Sequence, residues 1–412
     1  MIILSNAVKN IRRYARKSTM YALICVVAVL TLQTYIANID RTEKQLADLP
    51  STMPVQARIA SLSGSSYAAL QIRQITIDGL LNSPYVRDLH MTIALLTSCN
   101  YFPARDIIDE SREYKPGVVA ANCADAVELL KLDAITWLPG YSADILESSE
   151  PVCIASEDTI MVYNDWSLGD GITLELYKYK YETNGNVLFD EIGPMDVRIV
   201  GSASMNVLGG NSFIIPFEAA RAFASNRKVE LPASTGSFYV RDPLRLNEFK
   251  DGLKKLALLP AVTDGSAAFA LISHSGTSLL VYDATFISAA TQLDGTISLL
   301  RGFLPLMLAV LAAIGYFVAY LMIQNRREEY AVLRLIGMSR RAAIAMYFCE
   351  MAILTLGGSI VGAAISTATG IGSAIIGALV FLIFSLCFML GCAIALFRLG
   401  RTNVMLALSQ RD

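Results

Sequence analysis

Histidine is nearly absent from this chain: His90 and His274 are the only two among 412 residues, and no ligand-like spacing joins them to a cysteine. A zinc site of the familiar Cys and His kind is thereby excluded. The seven cysteines form no disulfide scaffold. Cys25, Cys349, Cys387 and Cys392 sit in apolar runs, where a thiol packs as a small hydrophobe. Cys99, Cys123 and Cys153 remain, an odd number that permits one disulfide at most. No G-x-x-x-x-G-K-[ST] phosphate loop occurs, so nucleotide energy, if used, is bound by another chain. An excess of one charge is missing too: 34 basic against 36 acidic residues give a formal net charge of -2, with no pull toward nucleic acid. The polar middle holds no nucleophile with a base beside it; His274 and the run Ser63 to Ser66 read as loop residues.

Hydrophobic residues, at 54%, are what the chain has in abundance, and they are unevenly placed. Four runs each supply the roughly 20 apolar residues that a helix needs to cross about 30 Å of hydrocarbon. These are 19–37, 302–323, 342–366 and 373–397. Only the third contains an acid, Glu350. The first is too long for a cleaved signal peptide and lacks a small-x-small site after it, so it is expected to remain as an anchor.

Basic residues near the span ends set the orientation. Lys9, Arg12, Arg13, Arg16 and Lys17 precede the first span; Arg326, Arg327, Arg334, Arg340 and Arg341 lie between the second and third; Arg398 and Arg401 follow the fourth. Four alternating spans put all three groups on one side. The reading is a cytoplasmic basic amphipathic helix at 1–18, a cytoplasmic loop at 324–341 and a cytoplasmic tail at 398–412, with 38–300 outside.

The outer portion reads as mixed α/β. Val55 to Ala60 is strand-like, Tyr67 to Leu81 helical up to the Asn82-Ser83-Pro84 breaker, and Tyr85 to Leu96 extended. A β-rich insertion is expected at about 120–235, with strands at Pro151 to Tyr163, Gly169 to Tyr181, Val187 to Ile192, Asp196 to Ala203 and Phe213 to Pro216, and a turn at Asn184-Gly185-Asn186. Ser237 to Arg241, a helix at Leu244 to Leu258 and a strand at Ala267 to Ile272 return to the first style. The fold class is therefore an α-helical membrane protein with four transmembrane helices and a large mixed α/β extracytoplasmic domain of two subdomains. A stalk helix at 279–300 is expected to run straight into the second span.

The sharpest motif is Asn325-Arg-Arg-Glu-Glu-Tyr-Ala-Val-Leu-Arg-Leu-Ile-Gly-Met-Ser-Arg-Arg341. Its spacing predicts a short amphipathic helix, ended at Gly337 and restarted with Ser339 as N-cap. By charge alone it would be a basic helix lying on anionic headgroups. The string, however, closely resembles the cytoplasmic loop of MacB/FtsX-type ABC transporter permeases. Leu168-Gly-Asp-Gly-Ile-Thr-Leu174, Glu350 followed by Gly357, Gly358 and Gly362, and Arg401-Thr-Asn403 with Leu406 are weaker matches in the same order. The usual proline near the C-terminal end is missing, the loop between spans three and four is short, and no ATPase domain is fused.

The resemblance implies a coupling helix that contacts a cytoplasmic ABC ATPase through Arg326, Arg327, Glu328, Glu329, Tyr330, Leu333, Arg334, Gly337 and Arg340. It implies no catalysis and no cofactor in this chain, ATP and Mg being held by the partner. It also implies a homodimer, or a heterodimer with a similar permease, in the plasma membrane of a bacterium. Cargo would be an amphipathic peptide, antibiotic or lipid-linked molecule; activation of cell-wall hydrolases and lipoprotein extraction are the alternatives within the family, and a sensor or scaffold without ATPase the alternative outside it. Glu350 is expected near the inner interface, paired with an arginine of the loop or of the N-terminal helix. Gly358, Gly362, Ser366 and Gly370 recur every fourth residue, a stripe that lets a second helix approach closely, in the same chain or across a dimer.

Overall fold

A computed structural model describes residues 2–99, 102–108, 115–157, 161, 164–181, 186–260, 274–324, 327–370 and 374–400. The chain forms two compact units, one of residues 1–49 with 288–412 and one of residues 50–287.

The first unit is helical. α1 (Ile2–Arg13) and α2 (Ala15–Thr52) are separated only by Tyr14. α7 (Ala284–Gln324), α9 (Arg340–Ala368) and α10 (Ala374–Gly400) complete, with α2, the four helices long and apolar enough to cross a membrane among the described residues. Their facing sides share one core in which Tyr21, Cys25, Val29 and Leu32 meet Leu311 and Ala319, Tyr347 and Met351, and Phe384 and Phe388.

Close approach, rather than bulk, joins the helices. A Cβ on Gly358 would lie 2.8 Å from Cys25 Cβ and 2.9 Å from the Ala22 carbonyl oxygen; one on Gly362 would lie 3.1 Å from Val29 Cβ. The small-residue stripe of α9 is thus used within the chain, against α2. It ends with Ser366, because Gly370 lies beyond the helix at φ +72°. A second such contact joins α7 to α10, where a Cβ on Gly315 would meet Phe388 and one on Gly391 would run into the Ala312 carbonyl. Without a hydrophobic drive between helices in lipid, such backbone proximity and interhelical hydrogen bonds are what hold a bundle.

α2 and α7 outrun the membrane. At 1.5 Å per residue, 38 and 41 residues span roughly 57 and 62 Å against a hydrocarbon core of about 30 Å. Beyond the bundle they pair with each other. Tyr35 donates to the Leu300 carbonyl at 2.6 Å, and Arg301 bridges to Glu43 at 2.9 Å. Both contacts are made one turn before Pro305, which has no N–H for the Arg301 carbonyl.

The second unit is built on a sheet of eleven strands among the described residues. β1 (Gln56–Ala60), β2 (Val86–Ser98), β3 (Gly117–Ala121), β4 (Thr136–Trp137), β5 (Val152–Ser156), β6 (Gly171–Tyr181), β7 (Val187–Ala203), β8 (Phe213–Pro216), β9 (Thr235–Val240), β10 (Leu259–Pro260) and β11 (Ser278–Val281) are ordered β10-β11-β1-β9-β2-β3-β8-β5-β7-β4, with β6 pairing β2 and β7. Helices α3 (Gln74–Leu81), α4 (Ala104–Ile108), α5 (Phe217–Asn226) and α6 (Leu246–Lys254) connect them. The inserted segment keeps a core of its own, in which Ala121, Ile135, Leu146, Ile154, Val200 and Ile214 meet. Its strands nevertheless join the flanking ones in a single sheet.

Several expectations shift in detail. The stalk helix begins at Ala284 and not at 279, because Ser278–Val281 is a strand held between β1 and β10. The helix expected from Tyr67 starts at Gln74, and Val187 to Ala203 is one strand instead of two. Its extra residue is absorbed as a bulge where Leu176 pairs Gly193 and Tyr177 pairs Glu191. The expected strand at Ala267 to Ile272, and Asn184 and Gly185 of the turn, lie outside the described residues. All seven cysteines are free thiols. Burial pushes the Cys153 thiol well up from its ordinary range, so it packs and does not react.

Gly358→Val is expected to destabilise the detergent-solubilised chain by about 1–3 kcal/mol in denaturant unfolding, since its side chain would overlap α2. Gly357→Val, with nothing within 4 Å of the added Cβ, is expected to change little.

Candidate functional site

Between α7 and α9 the chain forms α8 (Arg327–Leu335), which the sequence folds as expected. Gly337 adopts φ +96°, a conformation a Cβ would strain, and so ends the helix. Ser339 then caps α9, its hydroxyl accepting from the Ala342 amide at 3.3 Å.

Three side chains clamp α8 to the bundle. Tyr330 is 6% exposed and lies in the common core, its ring 6.4 Å from that of Tyr347 on α9. Leu333 packs against the same core from the next turn. Glu329 accepts a hydrogen bond from the Tyr14 hydroxyl, which ties α8 to the junction of α1 and α2. α1 in turn packs along α9, with Ala7 fully buried and Ile11 against the core. The basic residues Lys9, Arg12, Arg13, Arg16 and Lys17 stay exposed.

The opposite side of the loop is apolar and open. Val332 is 50% exposed, Leu335 72% and Ile336 79%. These hydrophobic side chains stand far out on a helix already anchored by its other face. Exposed Arg340 borders them.

This arrangement corrects the sequence reading of individual residues. Tyr330 and Leu333, expected to touch a partner, are turned into the bundle, and Glu329 is engaged by Tyr14. Arg334 is half-buried and donates to the Met338 carbonyl at 3.0 Å, closing its own loop. Gly337 and Arg340 are exposed. Arg326 lies outside the described residues, as do the side chains of Arg327 and Glu328. Val332, Leu335 and Ile336, the exposed apolar side chains of the loop, are not among the residues that the sequence singles out. The helix carries apolar residues on both faces, and spacing alone does not say which face meets the bundle.

Glu350 is 1% exposed on the buried row of α9 that includes Met346, Tyr347 and Leu354. Toward the C-terminal end of α9 from it runs a set of buried polar groups. Tyr21 hydroxyl lies 3.0 Å from Thr355 Oγ1 and 3.4 Å from Cys392 Sγ. Ser359 donates to the Thr355 carbonyl, and Ser385 donates to Ser359 at 3.5 Å. Gln33 on α2 and Ser366 on α9 are also fully buried. Each interhelical hydrogen bond in such a setting is worth about 0.6–2 kcal/mol and fixes helix register.

Comparison with known proteins agrees with the membrane part. Residues 301–404 match the FtsX-like permease C-terminal family, so the segment that holds α8, α9 and α10 is similar to FtsX-like permeases. Comparison with curated proteins returns no match. Among solved structures, the crystal structure of the periplasmic region of MacB from Actinobacillus actinomycetemcomitans is similar at 10% identity and a TM-score of 0.30, over 58% of this chain and 93% of that one.

A double-mutant cycle on Tyr14→Phe and Glu329→Gln, read by denaturant unfolding of the full chain in detergent, is expected to give a coupling of about 1–2 kcal/mol. Additive effects would mean that the two side chains do not meet.

Proposed function

We propose that this chain is the non-catalytic membrane subunit of an ABC transporter of the MacB/FtsX type. In this reading α8 and both termini are cytoplasmic, a separate ATPase holds ATP and Mg, and the permease pairs with a second copy or a similar chain in a bacterial plasma membrane. What supports it is the open apolar edge of Val332, Leu335 and Ile336, presented on a clamped helix within a segment that matches the permease family. An ATPase groove would cover that edge, and exposed Arg340 and the row on α1 would meet acids or anionic headgroups beside it.

Closure of the ATPases would press on α8. Because Tyr330 and Glu329 fix α8 to α9 and to the α1–α2 junction, the push passes to the bundle as a whole instead of bending a loop. α2 and α7 continue as helices out of the bundle, braced at Tyr35–Leu300 and Glu43–Arg301, and carry the movement outward. Switching such an element from 1:99 to 99:1 requires a bias of about 5.5 kcal/mol, which a compliant link would dissipate. The work done outside would be export or removal of an amphipathic peptide, antibiotic or lipid-linked molecule.

Leu335→Asp with Ile336→Asp is expected to leave folding intact while weakening co-purification of the ATPase and its permease-stimulated turnover at least tenfold. Tyr330→Phe is expected to preserve both. If no ATPase associates with the unaltered chain, a membrane sensor or scaffold becomes the better reading.

A further inference from the structure

The second unit contains an open cleft of about 920 Å³, at the upper end of the size range of small-ligand sites, that the coupling reading does not use. Its floor is the polar face of the sheet. β1 and β9 alternate, so that Gln56, Arg58, Ser237 and Tyr239 stand on the less buried side while their neighbours enter the core. Register then places three chemistry-bearing residues in one row across three strands: Arg58 pairs with Ser237, and Ser237 with His90. Directly opposed residues in antiparallel strands share a face, with Cβ atoms about 5 Å apart. A bulge between Arg87 and His90, with Asp88 at φ +51°, re-aims this stretch of β2. Asn122 fixes the bulge, accepting from the Met91 amide at 2.8 Å and donating to the Leu89 carbonyl at 2.5 Å.

Arg58 is the unusual member. Its guanidinium lies over the Tyr67 ring at 5.6 Å, its Nε is buried with no hydrogen-bond partner, and among the described residues it is ion-paired with no carboxylate. Acids are nonetheless present in the same cleft. Asp125, Glu128 and Glu147 stand exposed among its lining residues, and none of them has a salt-bridge cation among the described residues. A fourth acid of the cleft, Asp88, is paired with Arg87 at 3.0 Å, while Arg58 and the other three acids form no ion pair with each other. A row of guanidinium, hydroxyl and imidazole receives a carboxylate, since the fork of an arginine matches its two oxygens. Three carboxylates without a salt-bridge partner in the same cleft repel polyanions and receive ammonium groups.

We infer that this cleft binds a short basic peptide, with its C-terminal carboxylate on Arg58, Ser237 and His90 and its amino groups toward Asp125, Glu128 and Glu147. Tyr67, already stacked on Arg58, and Tyr239, edge-on to His90 at 6.4 Å, supply the apolar sides for its aliphatic stems. The site needs no ATPase, so its occupancy stands apart from the coupling role of α8.

The test is titration calorimetry on the full-length chain in nanodiscs, without ATPase, using the tripeptide Lys-Lys-Ala and its C-terminal amide. Saturable binding of the free acid is expected, with at least a tenfold loss for the amide and for Arg58→Gln. Glu128→Gln with Glu147→Gln is expected to weaken the free acid at least fivefold. In Arg58→Gln the amide and the acid are expected to bind alike, a result that a merely misfolded cleft does not give, because binding of both would then vanish. Equal affinity of acid and amide for the unaltered chain, or no saturable binding of the acid up to millimolar concentration, would overturn the inference.

Discussion

The contact on which the membrane unit depends is the one between α2 and α9, where Gly358 and Gly362 bring the backbones together with no side chain between them. Lipid offers no reason for two apolar helices to associate, so proximity and buried hydrogen bonds must supply it. From that seam the other relations follow. Tyr21 can reach Thr355 and Cys392 only because the helices are so close, and α1 finds α9 because α2 has been set beside it. Fixed in this way, the bundle gives α8 a firm surface to rest on through Tyr330 and Leu333.

A firm surface changes what α8 can do. A helix floating on headgroups would absorb a push by sliding, whereas one whose inner face is buried in the bundle hands the push on. The two faces of α8 differ accordingly: Glu329, Tyr330 and Leu333 attach it, and Val332, Leu335 and Ile336 remain open, the division that the proposed coupling role requires. Beyond the bundle, α2 and α7 stay helical and bridge each other through Tyr35–Leu300 and Glu43–Arg301, which is the stiffness the proposed relay of movement requires.

Much of this was legible from residues alone. Four runs of bilayer length announced the spans, Gly337 and Ser339 announced the break between α8 and α9, and the short strand at Phe213–Pro216 was read at its true ends. What stayed hidden was decided by tertiary context. Ser278–Val281 has no local mark that separates it from the helix after it, and becomes a strand because β1 and β10 flank it. Tyr330 and Leu335 are both apolar positions of one short helix, and only the neighbouring Tyr347 tells the buried one from the open one. The cleft was invisible for another reason: Arg58, His90 and Ser237 are scattered along the chain and form a row only through sheet register.

The central claim is that α8 and the bundle move as one body. A chain freed of its native cysteines, with Tyr14→Cys and Glu329→Cys joined by a short bifunctional maleimide, tests it directly when the turnover of the associated ATPase and its dependence on the permease are measured before and after cross-linking. The account predicts that turnover and coupling survive the tether, because these two positions already hold a fixed separation. Loss of coupling on cross-linking would show that α8 must slide against the α1–α2 junction, and would contradict it.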